Sequence, residues 1–282
     1  MDLSLLDLST RKFWRAVGRR IDVDGEHAWL RAPMSDGPQV GDAWLAAEAA
    51  AYGGVVREGL PGAGLMRDMA ELDGPGFEAA RLRPEIRDFY EHTSDWRMEV
   101  WVAWSPLFWP GGELVSRIFG QRLEQLALPM RPLDTARGMD SRIAVIEDAD
   151  GVQRAAGWLR TVRATGAFAF SGCYSSRSLP GADRPGVHVA FPLESGNVQV
   201  FLRPDHGEDG SLWLRSPGER WGGNGAYVIA RDGGHTHASR APVHESFHVY
   251  VDDEGVVRAD HDLRVWKASA VKLHYKLERR SS

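Results

Sequence analysis

The chain has 282 residues, 43% hydrophobic and 26% charged, with a formal net charge of −5. That length can bury a core for one large domain or two intimately packed ones. The acidic balance gives non-specific phosphate binding nothing to rest on, so no nucleic-acid partner is expected.

Residues 1–95 read as helical and irregular and residues 96–282 as a mainly antiparallel β domain, the two forming one integrated fold. Met1 to Asp7 holds neither a basic segment nor a continuous apolar run. No secretory signal is therefore expected, and the cytoplasm is the expected location. Ala43 to Ala51 is alanine-rich and favours a helix. Glycines punctuate residues 53–76. Among them Gly59-Leu60-Pro61-Gly62-Ala63-Gly64 superficially suggests a dinucleotide loop, but no Val/Ile-rich strand precedes it and no strand–helix–strand rhythm follows. Pro84 opens a second helix, Glu85 to Glu91, at a position where its missing N–H costs nothing. Arg97 to Trp104 alternates as a strand would. Glu113 to Leu128 carries one apolar stripe (Leu114, Val115, Ile118, Phe119, Leu123, Leu126) before Pro129 stops the helix. No run of about 18 apolar residues occurs, so no transmembrane helix is expected.

From about residue 140 the hydrophobic period changes from 3.6 to 2. Candidate strands cover 142–147, 155–164, 166–175, 186–194, 197–203, 211–215, 226–231, 244–251, 256–266 and 269–277. Turn signals such as Asp148-Ala149-Asp150-Gly151 and Asp253-Glu254-Gly255 separate them. The expected class is α+β, predominantly antiparallel β: a curved sheet or barrel of about ten strands, with helices packed from the N-terminal third. The lone cysteine, Cys173, lies in one of these strands and reads as a buried inert thiol.

The sharpest motif is His244-Glu245-Ser246-Phe247-His248, which spells H-E-x-x-H. Zinc binding needs that motif on a helix, where i and i+4 share a face. Here Pro242 precedes it and Val249-Tyr250-Val251 leads into a turn, which makes it a strand. Strand rise would separate the two imidazoles by about 13 Å, so no metal is expected. The same stretch fixes a hairpin. Matching apolar faces sets Val251 opposite Val257 across a three-residue loop ending in Gly255, a type I turn closed by a bulge. Tyr250 then faces Arg258, His248 faces Asp260, Ser246 faces Asp262 and His244 faces Arg264. These pairs make either a solvated face with ordinary ion pairs or acid–base groups lining a cavity. His248, Asp260, Tyr250 and Arg258 are thus the candidate catalytic residues. His235-Thr236-His237 reads as a polar loop between glycines. No G-x-S-x-G or Walker A sequence occurs, and no cofactor is expected.

Tryptophan is abundant, 11 in all. Trp96, Trp101, Trp104 and Trp109 cluster within 15 residues. Such rings build cores first, and they also wall pockets for apolar or ring-shaped ligands. Trp101, Trp104 and Trp109 are the candidate ligand-binding residues.

Three segments, Arg83 to Thr93, Phe191 to Arg203 and His248 to His261, give the chain a resemblance to a group of bacterial conserved hypothetical proteins of no established function. The resemblance runs from about residue 80 onward and implies no functional residue. The expected function is a soluble β-domain holding an apolar small molecule or lipid in an aromatic-lined cavity. The alternative is an enzyme on the same scaffold, an isomerase, cyclase or hydrolase using cavity His and Asp groups.

Overall fold

A computed structural model describes residues 18–35, 37, 40–105, 139–163, 166, 168–218 and 220–280. Fourteen strands occur among these residues. The first three are β1 (Arg19–Ile21), β2 (Val55–Glu58) and β3 (Trp96–Trp104). Then come β4 (Met139–Glu147), β5 (Gln153–Val162), β6 (Phe168–Arg177), β7 (Gly186–Leu193), β8 (Gly196–His206) and β9 (Leu212–Arg215). The last are β10 (Gly225–Asp232), β11 (His235–Ala241), β12 (Val243–Val251), β13 (Val257–Val265) and β14 (Ala268–Arg279). Two α-helices are described, α1 (Trp44–Ala51) and α2 (Pro84–Glu91). Every strand pairing is antiparallel.

Strand β8 organises the molecule. One of its edges pairs with β7, while the other changes partner midway: Gly196 to Phe201 pair with β10, and Arg203 to His206 with β9. The ladder therefore divides into two sheets. The first runs β2-β4-β5-β6-β7-β8-β10-β11-β1, and the second runs β8-β9-β12-β13-β14-β3. Their inner faces share one apolar core. Ile143, Val145, Ala156, Val189 and Val200 come from the first sheet, Leu214, Val249, Val257, Ala259 and Leu277 from the second. Ile86, Phe89 and Tyr90 of α2 close one side of it. The outer face of the first sheet is covered as well. Helix α1 lies across β5, where a Cβ on Gly157 would meet Leu45 Cδ2 at 2.6 Å, so only glycine lets the helix sit so close. The Trp44 indole N–H there donates to Ser171 Oγ at 2.8 Å.

The barrel expectation is corrected. The path from β2 to β3 does not close among the described residues. Helix α2 and its neighbouring turns are tied to both sheets: Arg279 of β14 pairs with Asp88 and Asp95, and Gln153 of β5 donates to the Gly64 carbonyl. The 85–91 and 43–51 helices form close to their expected bounds, while 113–128 lies outside the described residues. His235-Thr236-His237 is not a loop; it begins β11 and pairs with β10 on one side, with Thr236 and His237 also pairing with β1. A short strand, β2, does precede the Gly59–Gly64 segment, but no helix follows directly. Cys173 is 2% exposed, and burial pushes its thiol well above the ordinary range.

Candidate functional site

The hairpin β12–β13 has the expected register at every pair: Val251 faces Val257, Tyr250 faces Arg258, His248 faces Asp260, Ser246 faces Asp262 and His244 faces Arg264. Gly255 takes φ +78° in the turn, which an L side chain adopts only under strain. The pairs lie on the outer face of the second sheet, in a row that crosses five strands: Trp213, His248, Asp260, His274 and Trp101. The chemistry differs from the expected His–Asp couple. Asp260 Oδ1 bonds His274 Nδ1 at 2.7 Å and also takes the Tyr250 hydroxyl. His248 instead lies flat on the Trp213 ring, centroids 4.0 Å apart and planes 8° apart. Loss of water there lowers its pKa, outweighing the opposite pull of Asp209 and Asp260. Arg258 Nε is bound to Asp252 Oδ2 in the turn at 2.8 Å. Trp101 is 50% exposed beside His274, on this open face. Trp104 is the last residue of β3 and pairs with Val271, while Trp109 lies outside the described residues. His244 and His248 sit on a strand, and no group of metal-ligating side chains occurs among the described residues.

The inner faces hold a second arrangement that the strand pattern concealed. On the first sheet Trp158 and Arg160 of β5, Phe170 and Tyr174 of β6 and Phe191 of β7 point into the space between the sheets. Trp158 packs against Phe170 and Tyr174 with centroids 5.6 Å away, and Phe170 meets Phe191 at 5.5 Å. Gly172 makes room for the rings, since a Cβ there would stand 3.1 Å from Phe170. The second sheet answers with Glu245, Phe247, His261, Leu263 and Tyr275. Trp158, Tyr174, Phe191, Phe247 and Tyr275 pack on the core yet are only partly buried.

Charge enters this apolar space at three points. His261 Nε2 lies 3.1 Å from Glu245 Oε2, both side chains nearly buried, and the imidazole stacks on Phe247 at 3.8 Å. Arg160 is 9% exposed, its Nε has no hydrogen-bond partner, and no carboxylate reaches it among the described residues. Burial lowers the pKa of that guanidinium. Burial also pushes Tyr275 up to about 12 and holds Tyr174 well above its ordinary value; the charge of Arg160 pulls both down and that of Glu245 raises both. Arg160 and Glu245 therefore both act on the two phenols, with opposite sign.

A third polar group is also buried, in the first sheet, but fully satisfied. Ser175 Oγ bonds His188 Nδ1 at 3.0 Å, and His188 Nε2 bonds Gln199 Oε1 at 2.9 Å. Gln199 Nε2 donates to the Leu30 carbonyl and to Asn197 Oδ1. Asn197 Nδ2 donates to the carbonyls of Ala32 and Pro33. A serine–histidine–amide chain is suggestive of nucleophilic catalysis, yet Ser175 is 5% and His188 1% exposed. It fastens segment 30–33 to the sheet. A surface cleft of about 340 Å³ beside it contains Arg177, Arg184 and Arg203. The first two are spent on the carbonyls of Trp29, Arg31, Pro75 and Pro204.

The sequence reading passed over Glu245, His261 and Arg160, whose signal is a charge at a core-facing position. Glu245 shares the parity of Phe247 and Val249, His261 that of Ala259 and Leu263, and Arg160 that of Ala156 and Trp158.

No family model and no solved structure matches the chain. It is similar to the protein named uncharacterized membrane protein YndJ of Bacillus subtilis (strain 168), 26% identical over 215 residues. The match covers 76% of this chain and 38% of that relative, so the chain corresponds to well under half of the longer protein. The relative's name agrees with the sequence resemblance to bacterial proteins of no established function. No described helix is long and apolar enough to cross a membrane.

Proposed function

We propose that the aromatic space between the two sheets binds an apolar small molecule or lipid. The observation that carries this is the set of inner-face aromatic side chains, drawn from both sheets, that remain only partly buried. A core built for stability alone packs such rings to completion, because each buries 150–250 Å². Ligand sites in β-sandwiches and half-open sheets have this composition, apolar walls with a few convergent polar groups. The residues expected to wall the site change with it: Trp158, Phe191 and Phe247 replace Trp101. The relative's name assigns it to a membrane, and a lipid is the apolar ligand a membrane supplies.

Titration with a neutral solvatochromic dye tests the proposal. One-to-one saturable binding with quenching of tryptophan fluorescence is expected. Trp158→Phe should abolish most of the quenching, and Trp101→Phe should leave it unchanged. Non-saturable binding would return these rings to the role of core filler.

Glu245 and His261 favour one second reading, an enzyme in which this pair, in place of His248 and Asp260, moves a proton. The observation behind it is their 3.1 Å approach in an apolar surrounding. Turnover lost in Glu245→Gln with ligand affinity retained would support it.

A further inference from the structure

Arg160 sets the chemical class of the ligand. A guanidinium withdrawn from water and lacking a carboxylate is strongly disfavoured, and it persists where something outside the fold compensates it. Three features limit what that is. First, the group is 9% exposed and its Nε is unpartnered, so an incoming acceptor would meet an unused donor. Second, its surroundings on the first sheet are Trp158 and Phe170, neighbours in β5 and across the ladder in β6, so whatever carries the acceptor must have an apolar body. Third, Glu245, the carboxylate on the facing sheet, lies against His261 and not against Arg160.

Resting on the binding function proposed above, we infer that the ligand is an amphiphile with a singly charged anionic head, such as a carboxylate on an aliphatic chain, whose head pairs with Arg160 while its tail lies along Trp158, Phe191 and Phe247. A carboxylate accepts two parallel N–H bonds from a guanidinium, which satisfies the orphaned donor and cancels the buried charge together. A phosphate monoester at pH 8 carries close to two charges. Its second charge would be left desolvated among apolar side chains, so it should be rejected. A neutral alcohol of the same length would fill the apolar volume and leave Arg160 as it was.

The test compares dodecanoate, dodecanol and dodecyl phosphate, each below its critical micelle concentration, on the full chain at pH 8 by titration calorimetry and by displacement of the neutral dye. Dodecanoate should bind at least ten-fold tighter than dodecanol and dodecyl phosphate. In Arg160→Gln, dodecanoate should lose at least ten-fold while dodecanol is unchanged. The wild-type comparison stands without the variant, should Arg160→Gln fail to fold. Equal binding of dodecanoate and dodecanol would overturn the anionic head and leave the apolar site intact. Tighter binding of dodecyl phosphate would overturn the single charge. Failure of all three, with no dye binding, would overturn both the inference and the proposed function.

Discussion

Two buried polar clusters face opposite sides of the first sheet and differ in one respect. On the outer side, His188, Ser175, Gln199 and Asn197 form a chain in which each member named is hydrogen-bonded and the free ends land on the carbonyls of residues 30 to 33. On the inner side, Arg160 has an orphaned Nε and Glu245 and His261 meet inside an apolar core. A satisfied network contributes to folding; a half-satisfied one costs more than an apolar core would. The contrast teaches which cluster to read as structure and which as a site. The outer one resembles a catalytic triad by residue type, yet it is closed and structural. The inner one matches no motif, yet its unmade bonds are the ones a ligand could make.

The largest effect should come from opening the closed cluster. Gln199 is fully buried, and Gln199→Leu would leave His188 Nε2, the Leu30 carbonyl and Asn197 Oδ1 without partners. Loss of buried partners of this kind predicts a destabilisation of about 3 kcal/mol, read as a fall in the urea midpoint at unchanged slope. The inner cluster should respond with the opposite sign. Arg160→Met removes an uncompensated charge and keeps an apolar stem, so the ligand-free protein should gain about 2 kcal/mol. Destabilisation by Arg160→Met would mean that the guanidinium is satisfied after all, and the contrast between the clusters would collapse.

Acid should separate the clusters a third way. His188 is 1% exposed, and burial holds its pKa well below the ordinary 6.5, with Arg177 adding to the effect. In the unfolded chain it takes a proton as pH falls below about 6.5; in the folded protein it does not. Protonation of the unfolded state therefore drains stability on the acid side, up to about 1.4 kcal/mol per pH unit. Stability should be flat above pH 7 and lower by about 2 kcal/mol at pH 5. His188→Gln, which keeps a neutral partner for Gln199, should remove most of that acid slope. An unchanged slope would assign it to other groups.

How far these features were visible in the sequence follows from the kind of signal each leaves. The β12–β13 register was legible because Phe247, Val249 and Val251 alternate cleanly and Gly255 supplies the turn, so a one-residue slip would bury Asp260 and Asp262. β11 was not, because His-Thr-His-Ala-Ser-Arg-Ala carries little apolar alternation. Its strand state comes from pairing on both sides, a tertiary effect. The two-sheet division depends on β8 switching partners, which is not a local property. The inner charges were hidden by counting apolar matches: Glu245 and His261 break the pattern, and a broken pattern on a core face is itself the sign of a site. The outer row was legible as a register but not as chemistry, since partner choice within it depends on β9 and β14.

That outer row gives the smallest expected effect. Trp213 stacks on His248 at 4.0 Å, and the Arg215 guanidinium lies over the indole at 4.4 Å. The imidazole thereby loses water on one face, which disfavours its charged form, while Asp209 and Asp260 pull weakly the other way. The depressed pKa means that this site, too, loses stability as pH falls below about 6.5, but the face is open to solvent and the change should be slight. Trp213→Leu should return the His248 titration toward its ordinary value in NMR, with a stability change of about 0.5–1 kcal/mol. Asp260→Asn should move it the other way, further down, because a raising influence is removed, and at the same time free the His274 imidazole. If Trp213→Leu leaves the His248 titration unmoved, desolvation comes from elsewhere on the sheet. If Asp260→Asn raises it, the carboxylate is not acting as a negative neighbour, and the row is aromatic packing alone.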